Sequence, residues 1–376
     1  MVKIKSIFSI GIADVIGNLA TTFFWIYLLT LIHPEEYGEI VFLISIAGTV
    51  SPFIMISTMN VLSVFSAKKY DIVGNLNFLI LIGLGIASIV IYIIFMRVDI
   101  ICLLFGYTIS SIIIGKLLGV QNHKLYLKLV LLQKILTLVL GLSFFYIEGI
   151  ENIVFAISLS YLPFIFAINN ININFRLNIV AIKEKLSFLA QNYLITIFGR
   201  LSGQIDKLVV GSILGNEVLG LYMFGEQINL VSQIVSQVIF KYTLANDSIG
   251  INNKFLKKIS VLTSVLIAVL GFFLAPVLIP IIFPNYIDAI LSVQIIIFSI
   301  IPAAIIHIYT STILANENAK FLIISNGLGL FALLTGILTL GVTYGLVGIA
   351  LSYFISYATQ AIALIILVNK KSNLNL

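Results

Sequence analysis

The chain has 376 residues, of which 60% are hydrophobic and only 10% are charged, whereas a soluble domain carries about 25% charged residues. This composition excludes a soluble globular domain and indicates a polytopic integral membrane protein. The net charge of +6 would suit a nucleic-acid partner, but the basic residues follow membrane topology instead, so we expect no nucleic acid. The single cysteine, Cys102, excludes an internal disulfide framework and a thiolate metal cluster.

Hydropathy and loop signals predict twelve membrane-spanning helices. The chain begins like a basic signal peptide, but its apolar run is longer than about 20 residues, so we expect a retained span. In chain order, the predicted spans are residues 7–31, 39–66, 76–96, 100–120, 129–147, 152–171, 187–214, 218–241, 259–283, 287–314, 321–341 and 345–368.

The basic residues predict the orientation, because cytoplasmic loops are enriched in Lys and Arg. With both termini in the cytoplasm, 18 of the 21 basic residues lie in or beside inner loops. Arg97 lies on the outer side, and Arg200 and Lys207 lie inside a span. We therefore expect a multi-pass protein with both termini cytoplasmic.

The chain divides at its midpoint into two halves of six spans each. The cytoplasmic connection 172–186 separates an N-terminal lobe, residues 1–171, from a C-terminal lobe, residues 187–376. A shift of 182 residues matches Glu35 with Glu217 and Gly38 with Gly220 in the first outer turn of each half. An even number of spans per half makes the repeat parallel. We predict an all-α integral membrane fold with two pseudo-symmetric six-helix lobes around a central cavity.

The predicted span 187–214 carries charged side chains near its middle. A charge at the bilayer centre costs several kcal/mol unless it faces a partner or water. As one continuous helix, this span would present Arg200, Gln204 and Lys207 on one face, with Asp206 on its flank. A guanidinium and an ammonium in this arrangement suit an anion such as a pyrophosphate. The alternative is that Asp206 pairs with a base and fixes helix packing.

The next predicted span carries polar residues on one face, at spacings of seven and four residues: Glu226, Gln233 and Gln237. Glutamine amides both donate and accept hydrogen bonds, so they suit sugar hydroxyls. Interhelical hydrogen bonding, which is common between membrane helices, is the alternative.

The first span carries a polar face that includes Asp14 and Asn18. The 182-residue shift matches Asn18 with Arg200, so we expect both faces to line the central space. Asp14 and Glu226 are candidate ion-coupling carboxylates. The alternative for Asp14 is a hydrated position near the inner surface.

The sequence contains no motif typical of an enzyme active site. It has no phosphate-binding loop, no metal-ligand cluster and no nucleophile elbow. The short outer loops argue against a polymerase or glycosyltransferase. We expect a protein that is not an enzyme and that needs neither a cofactor nor a metal.

Residues 205–228 resemble the seventh and eighth spans of polysaccharide and O-antigen flippases, in the multidrug/oligosaccharidyl-lipid/polysaccharide exporter superfamily. The matching residues are Asp206, Lys207, Gly211, Gly215, Leu219, Gly220 and Tyr222. The sequence Glu36, Tyr37 and Gly38 is similar to the first outer turn of the same family.

This resemblance implies a flippase that moves an undecaprenyl-pyrophosphate-linked oligosaccharide across the bacterial cytoplasmic membrane by alternating access, for O-antigen or capsule assembly. Arg200 and Lys207 would attract the pyrophosphate, and the amides would hold sugar hydroxyls. Membrane lipids would surround the chain, with a polysaccharide polymerase and a chain-length regulator as partners. Few cations lie inside the first six spans, which argues against a strongly acidic substrate.

Two alternatives remain open at this point. A cation-coupled multidrug antiporter of the same superfamily would use Asp14 and Glu226 as coupling carboxylates, although Arg200 and Lys207 do not suit its acidic cavity. A membrane polysaccharide polymerase or glycosyltransferase would need larger outer loops.

Overall fold

The structure is a computed structural model of the chain. It describes residue 17 and residues 19–55, 59–68, 72–168, 185–201, 203–247, 254–315 and 320–374. In these ranges the secondary structure is helical, with α, 3-10 and π segments joined by short turns. The expected all-α membrane class is confirmed.

The helices follow the predicted spans, but five of the twelve predicted spans are divided between two helices. In chain order they are α1 (Leu19–Leu31), α2 (Pro34–Ile54), α3 (Met59–Ala67), α4 (Ile72–Phe95), α5 (Val98–Gly119), α6 (His123–Glu148), α7 (Ile153–Leu159), α8 (Leu162–Ala167), α9 (Leu186–Leu201), α10 (Ile205–Leu214), α11 (Asn216–Ser232), α12 (Ile234–Asp247), α13 (Lys254–Ile282), α14 (Ile290–Ile296), α15 (Ile300–Ala315), α16 (Lys320–Gly336) and α17 (Val342–Leu374). Among the described residues, eight helical stretches are long and apolar enough to cross a membrane.

The chain forms two compact units. The first contains Met1–Leu28 and Leu43–Gln204, and the second contains Leu29–Phe42 and Ile205–Leu376. The end of α1 and the start of α2 therefore belong to the second unit. Most of the predicted connection 172–186 lies outside the described residues, so the lobe boundaries at 171 and 187 stay a prediction.

Helix α5 is largely buried inside the first unit. It contacts α3, α7 and α8, and small residues let it approach α3 closely. A Cβ atom added at Gly115 would lie 2.9 Å from the carbonyl oxygen of Met59. Small residues at helix contacts are typical of membrane proteins, because the lipid supplies no hydrophobic force between helices.

A polar contact also holds the first unit together. Gln133 on α6 donates through Nε2 to Thr137 Oγ1 at 3.0 Å and to Ser160 Oγ at 3.2 Å. All three side chains are buried. These hydrogen bonds join α6 to the turn that follows α7 and satisfy polar groups that would be costly in lipid.

The second unit contains a hairpin in which α16 continues through a π-helical segment, Ile337–Gly341, and the chain reverses at Gly345, where φ is +58°. Ser356 Oγ donates to the carbonyl oxygen of Gly329 at 2.7 Å across this hairpin. At the far end of α12, the Lys257 ammonium lies 2.7 Å from Asp247 Oδ2. Ser311 Oγ donates to the same oxygen at 2.6 Å. This carboxylate therefore joins α12, α13 and α15.

Candidate functional site

The chain is broken in the middle of the predicted span 187–214. Helix α9 ends at Leu201, and α10 begins at Ile205. Between them the amide of Gly203 donates to Arg200 O at 3.2 Å, and the amide of Gln204 donates to Leu201 O at 3.1 Å. These are three-residue turns that do not continue the α-helical spacing.

The continuous helix predicted over residues 187–214 is therefore wrong, and so is the helical spacing that put Arg200, Gln204 and Lys207 on one face. Arg200 and Gln204 belong to the first unit, whereas Lys207 belongs to the second. The physical reason is the turn at Gly203, where the chain leaves the helix before the charged residues of α10. The binding roles proposed for these residues stay predictions.

Asp206, Lys207 and Glu226 form a buried charged cluster in the second unit. Lys207 Nζ lies 3.2 Å from Glu226 Oε2 and 3.5 Å from Asp206 Oδ1. Tyr222 OH donates to Asp206 Oδ2 at 2.7 Å. Asp206 is 2% exposed and Lys207 is 7% exposed, so each charge depends on the others for stabilisation.

This cluster matches the packing interpretation of Asp206, with Lys207 as its base. Two carboxylates surround one ammonium, so the fully ionised cluster carries a formal charge of −1. The Lys207 ammonium is held inside the second unit between α10 and α11. The two carboxylates therefore largely neutralise the Lys207 ammonium.

A row of uncharged polar side chains continues from this cluster along α11 and α17. Asn229 Nδ2 donates to Tyr353 OH at 3.0 Å, and Tyr353 OH donates to Tyr357 OH at 3.2 Å. Gln233, just after α11, lies beside Tyr357. We call Asn229, Gln233, Tyr353 and Tyr357 the polar row.

Gln233 was predicted from the sequence as a site residue, whereas Asn229, Tyr353 and Tyr357 were not. The spacing of the two tyrosines by four residues puts them on one face of α17, which was a signal that could have been read. Asn229 is fully buried, and its Oδ1 atom has no hydrogen-bond partner among the described residues. Gln233 is 4% exposed, and its Nε2 atom also has no hydrogen-bond partner among the described residues. The polar row therefore retains acceptor and donor capacity.

Arg200 lies in the last turn of α9, and its side chain is exposed. It lies 14 residues from both Leu186 and Leu214, and the part along α9, from Leu186, is about 21 Å long. Half of a bilayer core is about 15 Å thick. Tyr107 on α5 interacts with Arg200 electrostatically. Gln204 packs elsewhere in the same unit, since a Cβ atom at Gly48 on α2 would lie 2.9 Å from Gln204 Cδ.

Of the remaining predicted residues, the structure describes Gln237. Asp14 and Asn18 lie outside the described residues. Gln237 is half-buried on α12, and its backbone amide donates to Gln233 O at 3.0 Å. Helical geometry therefore continues from Gln233 into α12. Within the described part of the chain, no group of three or more His, Cys, Asp or Glu side chains is arranged to hold a metal ion.

Comparison with known proteins gives a family match over part of the chain and a fold. The family profile described as "Polysaccharide biosynthesis protein" matches residues 122–285. That match includes Arg200, the charged cluster and part of the polar row. No curated protein matches the chain.

Several solved structures share the fold along nearly the whole chain. A structure described as lipid II flippase MurJ in an inward closed conformation matches with a TM-score of 0.72 and 15% identity, covering 96% of this chain and 87% of that chain. An inward-facing multidrug resistance MATE family transporter of the MOP superfamily matches with a TM-score of 0.71 and 15% identity, covering 97% and 98%.

A third match is a MOP superfamily transporter from Pyrococcus furiosus, described as having a binding pocket of reverse polarity. Its TM-score is 0.56 at 14% identity, and the match covers 98% of this chain and 94% of that chain. At these identities the likeness shows a common fold. The profile match over residues 122–285 and this shared fold agree with the resemblance drawn from residues 205–228.

Proposed function

We propose that this chain is a flippase that carries an undecaprenyl-pyrophosphate-linked oligosaccharide from the inner to the outer leaflet of the bacterial cytoplasmic membrane by alternating access. The main observation in favour is that the polysaccharide-biosynthesis family match runs through the charged and polar helices α9–α11. The fold shared with a lipid II flippase agrees with this proposal.

Arg200 is the cation best suited to contact the substrate directly. Its guanidinium is exposed near the middle of a span. Placing a charge in lipid at that depth costs several kcal/mol, so the side chain needs water or an anion around it. A planar guanidinium binds phosphate oxygens at two points, which suits a pyrophosphate.

Lys207 has a different role in this proposal. It lies within 3.5 Å of two carboxylates, and removing it from them would leave two buried negative charges. We assign Lys207 to holding the charged cluster together. The polar row supplies the amide and hydroxyl groups that would bind sugar hydroxyls, because these groups both donate and accept.

The charged cluster also gives a candidate for ion coupling. Its formal charge of −1 is neutralised if Glu226 binds one proton or if a monovalent cation joins the two carboxylates. Glu226 is only partly buried, so it is the more accessible of the two carboxylates. Asp14 stays a second candidate by its sequence position.

A cation-coupled multidrug antiporter is the second candidate function. The excess of carboxylate in the cluster and the fold shared with MATE transporters favour it. An antiporter would protect cells against organic cations and would have no effect on surface polysaccharide. A polymerase would leave single repeat units exported but not joined.

Deletion of the gene in its host distinguishes these functions. For a flippase, lipid-linked repeat units accumulate and stay inaccessible to a membrane-impermeant glycosidase added outside. Expression of the native chain restores their accessibility, and susceptibility to organic cations does not change. Accessible single units in the deletion strain would indicate a polymerase, and changed cation susceptibility with normal polysaccharide would indicate the antiporter.

A further inference from the structure

Helices α2 and α11 cross at a pair of glycines in the second unit. A Cβ atom added at Gly38 would overlap the carbonyl oxygen of Asn216 and would lie 2.7 Å from its carbonyl carbon and 2.9 Å from Gly220 N. Real Cβ atoms do not approach a backbone this closely. Only glycine therefore permits the observed contact at position 38.

The contact is reciprocal. A Cβ atom added at Gly220 would overlap the carbonyl oxygen of Pro34 and would lie 2.6 Å from its carbonyl carbon. Pro34 begins α2 and Asn216 begins α11. The 182-residue shift found in the sequence relates Pro34 to Asn216 and Gly38 to Gly220. Residue 38 contacts residue 216, and residue 220 contacts residue 34. A contact in which residue i touches residue j and the equivalent of j touches the equivalent of i is typical of a two-fold axis.

A third glycine extends the same contact. A Cβ atom at Gly211 on α10 would lie 2.5 Å from Phe42 Cδ2 and 3.0 Å from Leu219 Cδ2. The first turns of α2 thus pack on both α10 and α11. Residues 29–42 belong to the second unit, whereas α2 from Leu43 onward belongs to the first. The close packing in the second unit is confined to the beginning of α2.

We propose that the crossing of Gly38 and Gly220 is a closure contact of the transport cycle, which holds the predicted outer ends of α2 and α11 together and separates when the outer side opens. This inference rests on the proposed function, since it requires alternating access. The carbonyl-to-glycine contact makes the closed state sensitive to a single methyl group. Adding one at either glycine overpacks the closed state and does not affect a state in which the helices are apart.

The test measures the separation of the two helix ends. Glu35 and Glu217 are exposed and are related by the same shift, so spin labels on E35C and E217C report on the crossing in a C102S background. The labelled parent protein should give a short-distance population. G38A and G220A should each shift the closed-to-open ratio by about 5- to 150-fold toward longer distances, the range expected for overpacking by one group. The control is G85A, because a Cβ atom there meets nothing within 4 Å.

A second arm does not depend on the glycine variants folding. Joining E35C to E217C with a short bifunctional thiosulfonate should stop export of the glycan, and reduction should restore it. Unchanged distances in folded G38A and G220A, or undiminished export by the cross-linked protein, would overturn the closure contact. If the native chain exports no glycan, the proposed function fails, while the distance measurements still decide the closure contact.

Discussion

Arg200 and Lys207 are both cations inside predicted spans, but their surroundings differ. Lys207 is 7% exposed and lies between Asp206 and Glu226. Arg200 is exposed on the last turn of α9. The charges were predictable from the sequence, because they interrupt long apolar runs. The different surroundings of Arg200 and Lys207 could not be predicted. The turn at Gly203 does not change the hydropathy of the sequence, but it ends the helical spacing between these two residues.

We predict that Arg200→Ala reduces glycan export at least about tenfold but leaves the protein inserted at normal abundance. The exposed guanidinium supports no buried partner in the charged cluster, so its loss should not unfold the second unit. Arg200→Lys should recover only part of the export rate, because an ammonium keeps the charge but loses the two-point contact with phosphate. Export and membrane abundance are measured together. Arg97→Ala, which removes an arginine paired with Asp99, is the matched control, and full export by Arg200→Ala would exclude direct anion binding.

Lys207→Met should instead destabilise the protein. It leaves Asp206 and Glu226 without their shared ammonium, and breaking a buried ion pair from one side costs about 3–5 kcal/mol. We expect low abundance and a lower melting temperature in detergent. The double variant Lys207→Met with Glu226→Gln removes one excess charge and should recover much of that loss. Equal stability of the single variant and the native chain would contradict the assigned role of Lys207.

At the scale of helices, hydropathy predicted the spans well and the breaks poorly. A window of about 20 residues averages over a three-residue turn, so the division of residues 187–214 into α9 and α10 was missed. The polar row was missed for another reason. Asn229 and Tyr353 are 124 residues apart, and a tyrosine in an apolar helix is indistinguishable from an ordinary packing residue until its partner is known.

The contact between α11 and α17 gives a prediction at this scale. Tyr353→Phe removes the hydroxyl that accepts from Asn229 and donates to Tyr357. Leaving a buried amide without its acceptor costs about 1–3 kcal/mol, so the melting temperature in detergent should fall. Tyr344→Phe is the control, since Tyr344 lies before the turn at Gly345 and is 66% exposed. Identical melting temperatures for both variants would show that the polar row does not hold α11 and α17 together.

For the whole molecule, the sequence predicts an orientation that the fold alone does not fix. The distribution of basic residues places both termini and the 172–186 connection in the cytoplasm. A reporter enzyme that works only outside the cytoplasm should be inactive after Lys371 and near Lys183. The same reporter inserted beside Gly149, in a predicted outer turn, should be active. The opposite pattern would reverse the orientation and with it the assignment of the glycine crossing to the outer side.

The internal repeat is the other whole-molecule feature that the sequence indicated. Only Glu35 with Glu217 and Gly38 with Gly220 suggested it in the outer turns. The reciprocal backbone contacts of Gly38 and Gly220 give that weak signal a physical cause. Each glycine admits a carbonyl group of the other helix, so this contact requires glycine at both positions.

The most direct test of the flippase proposal is transfer of its substrate in a purified system. The chain is reconstituted into vesicles that contain a polyprenyl-pyrophosphate-linked oligosaccharide with a labelled sugar, with and without a proton or sodium gradient, and a lectin that cannot cross the membrane reports the exposed fraction. We predict that the native chain and G85A transfer the lipid faster than protein-free vesicles, and that Arg200→Ala reduces the rate at least about tenfold, as expected when a charged contact worth about 1.4 kcal/mol or more is lost. Transfer no faster than in protein-free vesicles, by a preparation that exchanges an organic cation for protons or sodium, would contradict the flippase proposal and favour the antiporter.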